Sequence, residues 1–249
     1  MKKFIAYFDI LGYGRRISDK TIDEEYAIQK GLKNDVKEVI EKNAKTRADF
    51  HTVHFSDTHI FYTSDVSEDA FEIIIKSSLI FMLLAAVRKH PYLPMRGVVN
   101  YGDFMADYDN SIFIGKGARE AYEFEKNQEW MGCFLSDSCY ERVKDFGIFK
   151  KFLEEIVLVD YPVPLKTGNE NKYVINMESF PRIWGEACKG MPIAAPEFIK
   201  NIFINKGKEN SSVLDLDESA KRKMVNTIEF FKHIQNKLNN KATKNEKAK

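Results

Sequence analysis

The sequence predicts an α+β fold in which an antiparallel-rich sheet carries helices packed on it. Short strand-like runs alternate with longer helical patterns in the order strand, helix, hairpin, helix, strand, helix. Two of the strand-like runs, residues 4–12 and 53–61, are rich in apolar and aromatic residues and are each interrupted by one carboxylate, Asp9 in the first and Asp57 in the second. With 249 residues and 44% hydrophobic content, the chain is long enough to bury one large core.

Each element follows from its own local pattern. Strands are expected where apolar and polar residues alternate, helices where apolar residues recur every three to four positions, and boundaries where Gly, Pro, Asn or Asp interrupts the pattern. The first part of the chain is predicted to contain a strand over 3–9, a flexible turn over 12–14, a helix over 22–43, a hairpin of 50–55 and 59–63, and a helix capped by Ser67 or Asp69 that ends near Arg88. The second part is predicted to contain strands over 95–104, 111–114 and 130–135, a helix over 115–127, a short helix capped by Ser136, a hairpin of 156–164 and 172–177, and helices over 197–205 and 218–238.

The predicted elements divide the chain into three parts. Residues 1–180 carry every predicted strand and are expected to form one domain. Residues 181–238 are expected to be a helical extension that packs on this domain. Residues 239–249 are polar and highly charged, which predicts a disordered tail.

Composition excludes several classes of partner. The formal charge is +1, from 38 basic and 37 acidic residues, so no overall field favours nucleic acid or membranes. We find no run of the roughly 18 to 20 uncharged apolar residues that a membrane span needs, and residues 1–3 lead directly into a strand pattern without a cleavage site for a signal peptide. The spacing of Cys133, Cys139 and Cys188 fits neither a disulfide framework nor a zinc site. These features predict a cytoplasmic protein.

The two aspartates are the main candidates for chemistry. An ionised carboxylate in an apolar strand costs several kcal/mol of desolvation unless a cation compensates it. Two such strands lying side by side would bring Asp9 and Asp57 together as a hard oxygen site for Mg²⁺ or Mn²⁺. That arrangement predicts phosphoryl or nucleotidyl chemistry. The alternative is that each Asp only caps a turn at the end of its strand.

Four motifs in this order resemble the catalytic domain of class III nucleotidyl (adenylate/guanylate) cyclases over about residues 3–178. Residues 8–12 resemble the end of the family's first strand, and Ser56-Asp57 resembles its Gly-Asp hairpin turn. Residues 96–102 approximate its Arg-x-Gly-x-x-x-Gly strand, and 112–115 resemble the short strand that leads through a glycine into a helix. The resemblance implies a ferredoxin-like, palm-type sheet with additional C-terminal helices.

Departures from the family pattern point to one branch of it. The positions at which relatives read a purine base hold Val53 and Ile112 here. The family's transition-state Asn and Arg fall on Arg119 and Glu123. These changes, together with residues 161–166 and 173–176, resemble the pyrimidine cyclases of the bacterial Pycsar anti-phage system, which make cyclic CMP or cyclic UMP.

The resemblance also implies a role for each site residue. Asp9, Asp57 and the main-chain carbonyl of Ile10 would bind two Mg²⁺ or Mn²⁺ ions. The main-chain N–H groups of Leu11, Gly12, Tyr13 and Gly14 would bind the triphosphate. Arg96 would bind phosphate or a base carbonyl, or else pair with a surface carboxylate. Arg119 and Lys166 would bind phosphate, and Val53 and Ile112 would line the base pocket. For Arg119 and Lys166, an ordinary solvent-exposed role is the alternative.

The function implied is a nucleotide cyclase acting on CTP or UTP. Its two active sites would form across a homodimer interface, and a separate effector would sense the cyclic nucleotide in an anti-phage response. Three alternatives stay open at this point: a non-catalytic nucleotide-binding module, a cyclase that acts on ATP or GTP, and a palm-type enzyme that makes cyclic dinucleotides or extends a primer.

Overall fold

The chain folds into a mostly antiparallel sheet with helices on both faces. A computed structural model describes residues 1–18, 20–43, 49–87, 93–179, 196–204 and 216–247. The strands are β1 (Lys2–Ile10), β2 (Phe50–Phe55), β3 (Thr58–Thr63), β4 (Met95–Asp103), β5 (Met105–Asp107), β6 (Ile112–Ile114), β7 (Gly132–Leu135), β8 (Leu158–Leu165) and β9 (Gly168–Ile175). The helices are α1 (Tyr13–Ser18), α2 (Ile22–Asn43), α3 (Glu68–Val87), α4 (Lys116–Lys126), α5 (Asp137–Val143), α6 (Gly147–Glu154), α7 (Pro196–Ile204) and α8 (Glu218–Lys247), with a 3₁₀ turn at Met177–Ser179.

The main sheet has seven strands in the order β2-β3-β1-β4-β7-β9-β8. Every neighbouring pair is antiparallel except β4 and β7, which run parallel. Strands β5 and β6 form a separate two-stranded sheet. The predicted α+β class with an antiparallel-rich sheet is therefore confirmed, and β1 lies near the centre of the sheet between β3 and β4.

The two faces of β1 have different partners because successive side chains of a strand point in opposite directions. Phe4, Phe8 and their even-numbered neighbours are fully buried in the main core together with residues of α3. Helix α2 packs in turn on α3 and buries its own apolar stripe. The odd-numbered residues of β1, among them Tyr7 and Asp9, lie on the opposite face, where α4 packs across β1 and β4.

Glycines allow α4 to approach the sheet closely. Gly117 on α4 lies against Gly102 on β4, and each glycine leaves no room for a Cβ atom on the other. The Asn100 side chain fixes the contact by donating a hydrogen bond of 2.8 Å to the Gly117 carbonyl oxygen. Gly117, Ala121 and Glu125 recur every four residues and are all buried. This spacing directs the Glu125 carboxylate toward the sheet.

The C-terminal helix packs on the segment between α4 and β7. Met131 N–H donates a hydrogen bond of 2.8 Å to Thr227 Oγ1, and the rings of Trp130 and Phe230 meet edge to face with centroids 4.9 Å apart. Helix α8 continues past Leu238 to Lys247, over residues for which the sequence predicts a disordered tail. The exposed face of the helix is highly charged, and this composition is as compatible with a solvated helix as with disorder.

Several other predicted boundaries differ from the structure. The expected flexible turn over 12–14 is only a short turn, because Tyr13 and Gly14 already belong to α1. The strand expected over 95–104 is confirmed as β4 to within one residue, and an additional short strand that was not predicted, β5, follows after Phe104. The predicted end of α3 near Arg88 lies outside the described residues, as do 180–195 and 205–215 of the expected helical extension. No helix within the described ranges is long and apolar enough to cross a membrane.

The close contact of α4 with β4 predicts the effect of one substitution. A methyl group at Gly117 would meet the Gly102 Cα atom and Ile5 Cδ1, each at 2.9 Å. We expect Gly117→Ala to lower the free energy of unfolding by about 2 kcal/mol, because the added group forces helix and strand apart. Urea denaturation measures the change.

Gly147→Ala is the matched control, since a Cβ atom there meets its nearest neighbour, Glu68 Oε2, at an ordinary 3.5 Å. Alanine also favours helix over glycine by up to about 1 kcal/mol, so this variant should be neutral or slightly more stable. Equal stabilities for the two variants would contradict the described packing of α4.

Candidate active site

Asp9 and Asp57 come together because β1 and β3 are paired neighbours. Asp9 lies one residue before the end of β1 and is directly opposite Thr58, the first residue of β3. Asp57 lies in the turn before β3, and its carbonyl oxygen accepts a hydrogen bond of 3.3 Å from Ile10 N–H. Its carboxyl group is near enough to Asp9 to raise the pKa of Asp9.

The turn that presents Asp57 requires an unusual backbone conformation at the preceding residue. Ser56 adopts the left-handed conformation with φ of 57°, which non-glycine residues visit at some cost. The ring of His54 supports the turn, because its Nε2 atom lies 2.7 Å from the Ser56 carbonyl oxygen. Glycine, the residue that the resemblance leads one to expect here, would adopt this conformation without strain.

Arg96 and Glu125 complete the charged cluster. Arg96 is paired with Asp9 across β1 and β4, and its Nη2 atom lies 3.3 Å from Asp9 Oδ2. Its Nε atom forms an ion pair with Glu125 Oε1, and its Nη1 atom donates a hydrogen bond of 3.2 Å to the carbonyl oxygen of Gln128. The Nη1 and Nη2 atoms of the guanidinium thus have hydrogen-bond acceptors within the protein, and the Nε side faces the Glu125 carboxylate as an ion pair. Of the roles expected for Arg96, the contacts favour pairing with carboxylates, although one of these, Glu125, is buried and not at the surface.

Burial sets the electrostatics of this cluster. Desolvation raises the pKa of Asp9 from 3.8 to about 6; Asp57 adds to the increase and Arg96 opposes it. Desolvation also raises the pKa of Glu125 to about 8, with Asp9 adding to the increase and Arg96 again opposing it. The single positive charge of Arg96 therefore does not compensate the negative charges of the carboxylates around it.

The donor set fits a divalent cation that binds together with phosphate. When ionised, Asp9, Asp57 and Glu125 carry three negative charges and Arg96 carries one positive charge, so a divalent cation would balance the remainder. No group of three or more His, Cys, Asp or Glu side chains in the described parts of the chain is arranged to hold a metal ion by itself. Mg²⁺ commonly binds to one or two carboxylates and completes its shell with phosphate oxygens and water. Asp9 and Asp57 are suited to that kind of site.

The glycine-containing turn after β1 differs in part from its expected role. Leu11 N–H donates a hydrogen bond of 2.8 Å to the Pro94 carbonyl oxygen, so Leu11 does not offer its N–H to a phosphate and that prediction is wrong. Gly12 turns the chain with φ of 75°. Tyr13 and Gly14 begin α1, and the first turn of a helix leaves N–H groups without intrahelical acceptors.

The other predicted phosphate ligands, Arg119 and Lys166, do not join the cluster within one chain. Arg119 is exposed on α4 and makes no ion pair with any described residue. Lys166 is exposed in the turn between β8 and β9, where its N–H donates a hydrogen bond of 2.8 Å to the Asn127 carbonyl oxygen.

Val53 lies on the same side of the sheet as Asp9, whereas Ile112 lies on the separate β5–β6 sheet. Val53 on β2 is opposite Ile60 on β3 and packs against a small apolar cluster of Ile5, Tyr62 and Phe104. Phe113 on β6 packs on the same cluster, while its neighbour Ile112 is 47% exposed. Val53 therefore adjoins an apolar patch on the face of the sheet that carries Asp9, and the expected base-pocket role of Val53 and Ile112 stays a prediction.

Sequence reasoning missed Glu125, Glu129 and Lys223. Glu129 is a buried carboxylate that pairs with Arg222 of α8 and lies 3.9 Å from Lys223 Nζ. Burial lowers the pKa of Lys223, and the nearby cations Arg96 and Lys166 lower it further. A carboxylate four residues after Ala121 on the buried stripe of α4 was the available signal for Glu125.

The fold of this chain is that of nucleotidyl cyclase catalytic domains. The catalytic core of a rhodopsin-guanylyl cyclase with converted specificity, solved in complex with ATPαS, superposes with a TM-score of 0.54 at 16% identity, covering 70% of this chain and 94% of that chain. The guanylate cyclase domain of RhGC from Catenaria anguillulae, solved with GTP, gives 0.51 at 14% identity and covers 70% of this chain and 96% of that chain. The dimeric guanylyl cyclase domain of the RhoGC fusion protein from Blastocladiella emersonii gives 0.50 at 14% identity, with 70% and 95% covered.

Sequence comparison adds nothing to this structural likeness. No protein-family model matches the chain, and no curated protein matches it. At these low identities, the solved structures establish a shared fold only. The chemistry depends on the residues of the site.

The raised pKa of Asp9 predicts how stability depends on pH. The folded protein holds the Asp9 proton more tightly than the unfolded chain does, so ionisation of Asp9 destabilises the metal-free protein as the pH rises from about 4 to about 6. We expect Asp9→Asn to raise the free energy of unfolding by about 1–2 kcal/mol at pH 8 and by much less at pH 4. Urea denaturation in EDTA at both pH values measures this.

Asp103→Asn, at the exposed end of β4, serves as the control and should leave stability unchanged at both pH values. An Asp9→Asn variant that is less stable than wild type at pH 8 would contradict the described electrostatics.

Proposed function

We propose that the protein is a metal-dependent nucleotide cyclase that converts CTP or UTP to its 3′,5′-cyclic monophosphate and pyrophosphate. The observation that carries this proposal is the convergence of Asp9 and Asp57 on a sheet with the cyclase catalytic-domain fold. The excess of negative charge around Arg96 supports it, because a cluster of this kind is suited to a cation and to a substrate that brings further oxygen ligands.

Asp9 and Asp57 would hold the ions, with the main-chain carbonyl of Ile10 as a further ligand. When bound, two Mg²⁺ or Mn²⁺ ions supply activation of the ribose 3′-hydroxyl and stabilisation of the charge that develops on the phosphates. Asp9 must lose its proton to bind metal, and a pKa of about 6 leaves it largely ionised at neutral pH. Gly12, in the turn before α1, and Gly14, in the first turn of α1, would offer N–H groups to the triphosphate.

Two apolar side chains support a pyrimidine substrate. A purine presents exocyclic polar groups that need hydrogen-bonding partners in a closed pocket, and unpaired groups cost orders of magnitude in specificity. Val53 offers no polar atom on its side chain, and neither does Ile112. The smaller pyrimidine ring would rely on main-chain groups and on shape.

A homodimer would bring the missing cations to the carboxylates. Arg119 is exposed on α4 and Lys166 is exposed beyond β8, so both are accessible to a substrate held by a second subunit. Exposed apolar side chains on the β5–β6 sheet, Met105 at 57% and Ile114 at 59%, are suited to burial in such an interface. The cyclic nucleotide would act in the cytoplasm as an anti-phage second messenger for a separate effector.

The first test is a product assay with purified protein. Incubation with Mn²⁺ and each of the four ribonucleoside triphosphates should give a cyclic monophosphate from CTP or UTP, identified by mass. Asp57→Ala should lower the rate by roughly 10³-fold or more, because it removes a metal ligand. Asp103→Asn, which removes a remote exposed carboxylate, should retain the wild-type rate.

Each other outcome selects a different function. Cyclic AMP or cyclic GMP as the main product would indicate a purine cyclase. A product with two nucleotides would indicate a dinucleotide synthase. Binding of a triphosphate without any product would indicate a non-catalytic nucleotide-binding module, and both of the last two results would overturn the cyclase proposal.

The second test asks whether the two subunits share each site. Asp57→Ala and Arg119→Ala should each be inactive alone, because both active sites of each homodimer lack one group. An equal mixture should recover about a quarter of wild-type activity, since about half of the dimers are mixed and each of these has one intact site. No recovery, despite subunit exchange shown by mass spectrometry, would contradict a shared site.

A further inference from the structure

A buried carboxylate that the proposed chemistry does not use lies beside the proposed metal ligands. Glu125 is 2% exposed, lies on the sheet-facing side of α4, and pairs with Arg96 Nε. A buried ion pair adds little net stability, because the desolvation of both charges offsets their attraction. The position of this pair, one contact away from Asp9, points to a role in the site.

We propose that Glu125 is a positioning residue of the metal site, which holds the Arg96 guanidinium so that Asp9 stays free to bind a divalent cation. This inference rests on the proposed function. Glu125 itself is not assigned as a metal ligand, since no three carboxylates in the described residues are arranged to hold an ion.

The geometry around Arg96 supports this division of roles. Gln128 fixes one side of the guanidinium through its main-chain oxygen, and the Gln128 side chain is itself held by Gly97 and Trp130. Glu125 pairs with the Nε side. The contact of Nη2 with Asp9, at 3.3 Å, and that of Nη1 with the Gln128 oxygen, at 3.2 Å, are similar in length. Arg96 is therefore held by Glu125 and Gln128 as well as by Asp9, so Glu125 shares with Asp9 the positive charge of the guanidinium.

Charge balance leads to the same conclusion. With Glu125 ionised, the three carboxylates and Arg96 have an excess of two negative charges, which matches a divalent cation. Without the charge of Glu125 the excess falls to one, and Asp9 is the only carboxylate among the described residues that still pairs with Arg96. A metal ion would then have to displace the guanidinium from Asp9.

The test measures Mn²⁺ binding to the nucleotide-free protein by electron paramagnetic resonance of free Mn²⁺ at pH 8.5, above the pKa values of Asp9 and Glu125. We expect Glu125→Gln to weaken Mn²⁺ binding roughly tenfold and Arg96→Gln to leave it unchanged or strengthen it. The double variant should return toward wild-type affinity, because it restores the net charge of the site. Glu141→Gln, which removes an exposed carboxylate paired with Lys144, is the control for overall charge.

The outcomes separate the inference from the function on which it rests. If both single variants weaken Mn²⁺ binding, or if Glu125→Gln leaves it unchanged while wild type binds, the positioning role is wrong and the proposed function is untouched. If wild type binds Mn²⁺ no better than Asp57→Ala, the proposed metal site fails and the inference fails with it. Thermal unfolding in EDTA identifies a variant that loses Mn²⁺ binding only because it is less stable.

Discussion

Four charged side chains gathered at one side of a hydrophobic sheet constrain the rest of the structure. Asp9, Asp57, Arg96 and Glu125 come from β1, the β2–β3 turn, β4 and α4, so each position depends on the packing of a different element. Burying carboxylates with a single guanidinium costs free energy that the surrounding apolar core must supply. The fully buried face of β1, packed on α3, provides that support and keeps the charged face in place.

The approach of α4 to the sheet links packing to chemistry. The contact between Gly117 and Gly102 brings the helix close enough for Glu125 to reach Arg96, and Arg96 lies directly across from Asp9. A wider separation would leave Arg96 to pair with Asp9 alone. The same segment continues through Gln128 to Trp130 and Met131, where α8 docks. The C-terminal helix therefore packs on the stretch of chain that anchors the guanidinium, a contact that the strand pattern alone does not suggest.

One fold can carry several chemistries, so the function of this chain depends on the geometry of its site. Two features make cyclisation the proposed reaction: the two carboxylates lie together, and the exposed cations Arg119 and Lys166 lie elsewhere on the same chain. Under the proposed mechanism, a single subunit would lack part of each site, and a pair of subunits would supply both halves. The apolar side chains at Val53 and Ile112 then narrow the proposed substrate to a pyrimidine nucleotide.

The sequence by itself determined most of the strands and the longer helices, because alternation and helical periodicity are local properties, although it did not predict the short elements α1, β5 and α6. It also identified Asp9 and Asp57, because a carboxylate in a strand-like run is costly to bury. Only the tertiary structure decided which residues share a site. Leu11 N–H is taken by Pro94, Arg96 is held by Glu125, and α8 extends to Lys247. The first two depend on contacts between residues far apart in the chain, and a local pattern carries no information about such partners. The third depends on a polar sequence that is typical both of a solvated helix and of disorder.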